Sequence, residues 1–97
     1  MDDLIGKVVY SKSGRDKGRM FVVVQVVNEQ YLVIADGDMR KIGNPKVKNI
    51  KHLHFTNTIA EDVVSCIKSG ELPENHIIRK NLKKMQGTRE TDGKEVW

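Results

Sequence analysis

The 97-residue chain carries 17 Lys and Arg against 13 Asp and Glu, a net charge of +4. A chain this long buries about 60–65% of its extended surface, enough for one small core but not for an enclosing substrate pocket as well. The single Cys66 excludes an intramolecular disulfide and fits a reducing compartment, and no apolar run reaches signal-peptide or membrane-span length. A cytoplasmic, monomeric protein with no membrane attachment is expected.

Residues 5–10 (IGKVVY) open with a short β-branched segment, and residues 11–19 (SKSGRDKGR) form a polar, glycine-containing loop. Residues 20–27 are apolar and β-branched almost throughout, the pattern of a strand buried on both faces. Asn28-Glu29-Gln30 makes a hairpin connection to a strand over residues 31–35. Asp36-Gly37-Asp38 and Gly43-Asn44-Pro45 are turns, since Pro45 cannot donate to a central ladder. Residues 47–56 read as a last strand pair, with Ile50, Leu53 and Phe55 supplying apolar contacts. Short strands joined by tight turns within some 55 residues predict a mainly β fold, a small barrel over residues 1–57. Thr58-Ile59-Ala60-Glu61 then has the pattern of a helix capping box, with Ile59, Val63 and Ile67 on one helical face and Gly70 as the stop. A second helix is expected from Pro73, with Ile78, Leu82 and Met85 as its apolar stripe. The helical extension covers residues 58–86, and residues 87–97 read as an unstructured tail.

The charge is local. Residues 39–60 hold Arg40, Lys41, Lys46, Lys48 and Lys51 with no acid, and residues 75–89 hold five bases with no acid. Unopposed positive blocks suit a polyanion, whereas interleaved signs mostly give solubility. In the first loop Lys12, Arg15, Lys17 and Arg19 radiate around Gly14 and Gly18. Arginine binds two phosphate oxygens with its planar fork, and a glycine amide approaches phosphate with no Cβ in the way. Asp16 is the odd member; it repels phosphate and is expected to shape the turn or orient a neighbouring arginine. Loops of alternate strands open at the same end of a small barrel, so this loop and the basic segment after Asp36-Gly37 are expected to converge.

Gly6-Lys7-Val8-Val9, then Gly14-Arg15-Asp16-Lys17-Gly18-Arg19 and the apolar strand that follows, resemble the KOW motif of ribosomal proteins and bacterial elongation factors. Residues 36–41 (DGDMRK), Asn44-Pro45-Lys46 and Lys51-His52-Leu53 are similar to one subgroup. These are small bacterial KOW proteins related to the fourteenth large-subunit protein of archaeal and eukaryotic ribosomes. The resemblance spans residues 4–56, and departs at Met20-Phe21, where many KOW motifs have a further glycine. It implies an SH3-like barrel that binds RNA, ribosomal or otherwise structured, with ribosomal proteins as possible neighbours. Some KOW barrels contact proteins instead, so docking of an acidic partner in the translation or transcription machinery is the alternative.

The expected RNA-binding set is Lys12, Gly14, Arg15, Lys17, Gly18, Arg19, Arg40, Lys41, Lys46, Lys48, Lys51 and His52. His52 and His54 alternate along a strand but lack a third ligand, so no metal is expected, and no cofactor motif occurs. Cys66 has no neighbouring base and no carboxylate pair stands out, so no enzyme is expected. Five aromatic residues are too few for a platform of stacked bases, which favours recognition of structured RNA through its phosphates.

Overall fold

The computed structural model describes residues 2–84. The β-branched runs form five strands: β1 (Lys7–Ser11), β2 (Met20–Val26), β3 (Tyr31–Ala35), β4 (Lys46–Asn49) and β5 (Leu53–Ile59). They make one antiparallel sheet in the order β4-β3-β2-β1-β5. Register shifts between Lys7 and Val9 and between Val23 and Gln25 bend the sheet into a barrel-like curl of SH3 type. The ladder stays open between β4 and β5, which a 3₁₀ turn (Ile50–His52) connects. Helix α1 (Glu61–Lys68) and a second helix, α2, over residues 75–84 follow. Among the described residues no helix is long and apolar enough to cross a membrane.

Alternation along the strands sorts the apolar side chains into two clusters. Val9, Phe21, Val23, Leu32, Ile34 and Leu53 fill the concave side of the sheet. Val8, Met20, Val22 and Ala35 lie on the other side, covered by Ala60, Val63, Ile78 and Leu82 from the helical segment. The two-sided burial expected for residues 20–27 holds over Met20–Val23, and the helices are what cover the second side. Each of Ile78 and Leu82 contributes about 1.5–3 kcal/mol by this burial, so α2 is an integral layer of the fold.

The helix starts differ from expectation: α2, expected from Pro73, begins at Asn75 after Glu74, whose carbonyl accepts from Ile77 and Ile78 N–H. Thr58 and Ile59 belong to β5, so no capping box forms; Ala60 is the N-cap of α1, without a side-chain hydrogen bond. Ile59 is accordingly exposed, and Glu61 and Asp62 in the first turn offset the helix dipole instead. At the other end Glu71 N–H donates to the Cys66 carbonyl and Gly70 N–H to the Ile67 carbonyl, a Schellman stop at the expected glycine. Tyr31 at the start of β3 is exposed, while the four residues after it are buried. Met85 and the tail expected over residues 87–97 lie outside the described residues.

Gly37 positions α2 against the barrel. Its φ is +75°, and an added Cβ would run into the Asn75 carbonyl with Arg79 Cγ at 3.0 Å. The Asn75 side chain accepts from Ile42 N–H at 2.7 Å, and Arg79 donates to the Gly37 carbonyl. The β3–β4 loop is thereby fastened to the start of α2. Gly37→Ala combines left-handed strain with a backbone clash and should cost about 2–4 kcal/mol in chemical denaturation. Gly18→Ala, at φ +86° with open space around it, should cost only about 1 kcal/mol. Equal losses in the two variants would contradict this docking.

Candidate nucleic-acid interface

Antiparallel pairing places the β1–β2 loop (residues 12–19) and the β3–β4 loop (residues 36–45) at one end of the sheet. Two polar contacts of opposite sense tie the first loop to β4 and to the second loop. Lys46 pairs with Ile34 and Lys48 with Leu32, so alternation sends both lysines to the concave side and leaves Val47 exposed outside. There Lys46 Nζ lies 2.9 Å from Asp16 Oδ2, and Lys48 Nζ lies 2.8 Å from Asp16 Oδ1. The Lys48 ammonium also donates to Ser11 Oγ and to the Ser13 carbonyl. Its three N–H groups therefore meet three acceptors, as a buried cation requires. The Lys48 and Asp16 side chains are 7% and 12% exposed.

Burial by itself would raise the Asp16 carboxyl pKa. Hydrogen bonds from Lys46, Lys48 and Ser11 outweigh it and hold the group far below the ordinary carboxylate range. Asp16 does shape its loop, as expected, although its cationic partners are lysines of β4 and no arginine.

The second contact reverses the signs: Arg19 Nη2 of the first loop lies 3.1 Å from Asp36 Oδ2 of the second. Asp36 is buried, and its other oxygen accepts from Asp38 N–H at 2.9 Å and Arg40 N–H at 2.8 Å, closing the turn. Thus Arg19, Lys46 and Lys48, expected to meet phosphate, are each ion-paired with an acid of the chain itself, Lys48 buried and Arg19 at the surface.

The remaining cations face solvent. Lys12, Arg15, Lys17 and Lys41 are exposed and Arg40 is half-buried. Lys12 N–H donates to the His52 carbonyl at 2.8 Å, which sets the exposed Lys51 beside the first loop. None of these six has an acidic partner among the described residues. Gly14 and Gly18 are exposed on the same loop, at φ +82° and +86°. His52 is half-buried in the 3₁₀ turn, and His54 projects from β5 beside the Tyr10 ring, 6.4 Å between centroids. Among the described residues no three His, Cys, Asp or Glu side chains gather as a metal site. Cys66 lies half-buried on α1.

Two cations missing from the expected set reach this end. Arg79 and Lys83 of α2 line an open cleft of about 600 Å³ together with Gly18, Arg19 and Asp38. Their spacing of four residues marks one helical face inside an acid-free stretch, but only the docking at Gly37 shows which way that face points.

Asp16→Asn should destabilise by about 3 kcal/mol or more, because it leaves two inward lysines without a counter-charge. Lys48→Met should cost less, because Asp16 keeps Lys46. The folded-state pKa of Asp16 is depressed, so its contribution is complete above the unfolded value near pH 4 and fades as the pH falls toward the folded value. The stability gap between wild type and Asp16→Asn should be constant near neutrality and shrink below about pH 4 in urea titrations. A gap that widens on acidification would contradict the assignment.

No protein-family model and no curated protein matches this chain, so its functional reading rests on the residues and their geometry.

Proposed function

We propose that the protein is a small, non-enzymatic RNA-binding protein that grips the backbone of structured RNA with two joined loops. The observation that carries this reading is the sorting of charge at one end of the sheet. The loop acids Asp16 and Asp36 are neutralised by Lys46, Lys48 and Arg19, leaving Asp38 as the one exposed acid of these two loops, against Lys12, Arg15, Lys17, Arg40, Lys41 and Lys51, which have no acidic partner among the described residues. A polyanion approaching this end meets six such cations against the single exposed carboxylate of Asp38, an excess of positive charge. Loops held together before binding lose less conformational freedom on contact. Phe21 is buried, Tyr10 and Phe55 are half-buried and Tyr31 alone is exposed, so the described residues offer no row of exposed rings for successive stacked bases. Phosphates and duplex shape are the better match. The resemblance to KOW proteins supports a ribosomal or other structured RNA as the partner, and cytoplasmic, ribosome-associated work as the setting.

Six neutralised phosphates give a log–log salt slope of roughly −4 to −5 in fluorescence anisotropy with a structured RNA. Arg15→Ala combined with Lys17→Ala should weaken binding, reduce that slope by roughly 1.5, and leave thermal melting unchanged. A flat salt dependence would contradict the reading. Co-sedimentation with ribosomes that survives nuclease treatment would point to an acidic protein partner instead.

A further inference from the structure

The cleft between the loop end and α2 combines three kinds of surface. Tyr10, Met20 and Leu82 supply its apolar floor. The two loops contribute Arg19, Asp36 and Asp38 to its lining, and α2 contributes Arg79 and Lys83. A volume of about 600 Å³ falls within the roughly 300–1,000 Å³ of small-molecule sites, too small for a duplex but ample for one nucleotide.

The lining distinguishes this cleft from the outward phosphate grip beside it. A surface for phosphate alone has no use for a carboxylate, yet Asp38 stands at its edge 71% exposed, with Arg19 Nη2 no nearer than 3.9 Å. The backbone of the turn is closed by Asp36, so the Asp38 carboxylate carries no hydrogen bond of that turn. Lys83 has no acidic partner among the described residues, and Arg79 spends one N–H on Gly37 and keeps the rest of its fork. With Arg19 taken by Asp36, the two cations of α2 beside an apolar lining suit a phosphate and a flat ring together. An ionised carboxylate only accepts, so it favours a base edge that presents N–H groups. Guanine offers two adjacent ones on its pairing edge, N1–H and the 2-amino group. Uracil offers a single N–H between two carbonyls, which repel the carboxylate.

Building on the RNA-binding reading, we infer that this cleft receives one unpaired guanine nucleotide of the RNA, with its phosphate held by Lys83 and Arg79 and its pairing edge by Asp38. Sequence preference then enters through one extruded base, while the loops supply affinity without sequence preference.

Methyl and amide NMR titrations of the full chain with guanosine 5′-monophosphate, uridine 5′-monophosphate and inorganic phosphate test this. Guanosine monophosphate should shift the Met20 and Leu82 methyl signals and bind roughly fivefold or more tightly than the uridine nucleotide. Asp38→Asn, at an exposed position, should abolish that preference while keeping the wild-type spectrum elsewhere. Equal binding of the two nucleotides, or the same methyl shifts with inorganic phosphate, would overturn the inference. If RNA binding keeps its steep salt slope in that case, the loop grip stands without the cleft. A flat slope would remove the grip, and the inference built on it.

Discussion

The contact between Lys48 and Asp16 sets the geometry of the loop end. An ammonium at a concave position of a barrel is tolerated only when every N–H is answered, and Lys48 finds Asp16, Ser11 and Ser13 within reach. Those acceptors all come from β1 and the loop that follows it, whereas Lys48 comes from the edge strand β4. The side chain therefore spans the mouth of a sheet whose backbone ladder does not close there. Removing the acid costs more than removing the lysine because the acid serves two cations.

The same contact divides the polar groups of one short loop between two tasks. Asp16 and the hydroxyl of Ser11 turn inward and hold the fold, while Lys12, Arg15 and Lys17 turn outward. Arg19 and Asp36 repeat the arrangement with signs reversed, and Gly37, Asn75 and Arg79 extend it to α2. Three elements distant in sequence are thus fixed at one end, and cations with no acidic partner among the described residues gather there. Fixing the fold uses Arg19, Lys46 and Lys48, and Arg79 through the Gly37 carbonyl; recognition, as proposed, uses the cations of the loop surface.

The strands were legible in the sequence because β-branched runs and turn residues alternate cleanly. The two-sided burial of residues 20–23 was legible as well, but not its cause. Val63, Ile78 and Leu82 read as helix stripes, and nothing local says which surface they cover. Asp16 stood out as an acid among cations, which is the signal for an internal partner. The inward turn of Lys46 and Lys48 was not legible, because a block of charge shows nothing of its register. One residue of shift exchanges Val47 for the lysines on the concave side, and only the pairing of Lys48 with Leu32 decides it. The capping box at Thr58 lost to continued pairing of β5 with β1, where Ile59 lies opposite Lys7. The reach of Arg79 and Lys83 depends on the Gly37 approach, a tertiary contact with no periodic signature.

Observation of the lysine ammonium groups by nitrogen-detected NMR tests the internal latch and the outward cations together. At neutral pH and low temperature the Lys48 ammonium should be protected from exchange with water and correlate with Asp16, while those of Lys12, Lys17, Lys41 and Lys51 exchange rapidly. A Lys48 signal that exchanges as fast as the signals of Lys12 and Lys17 would contradict the account.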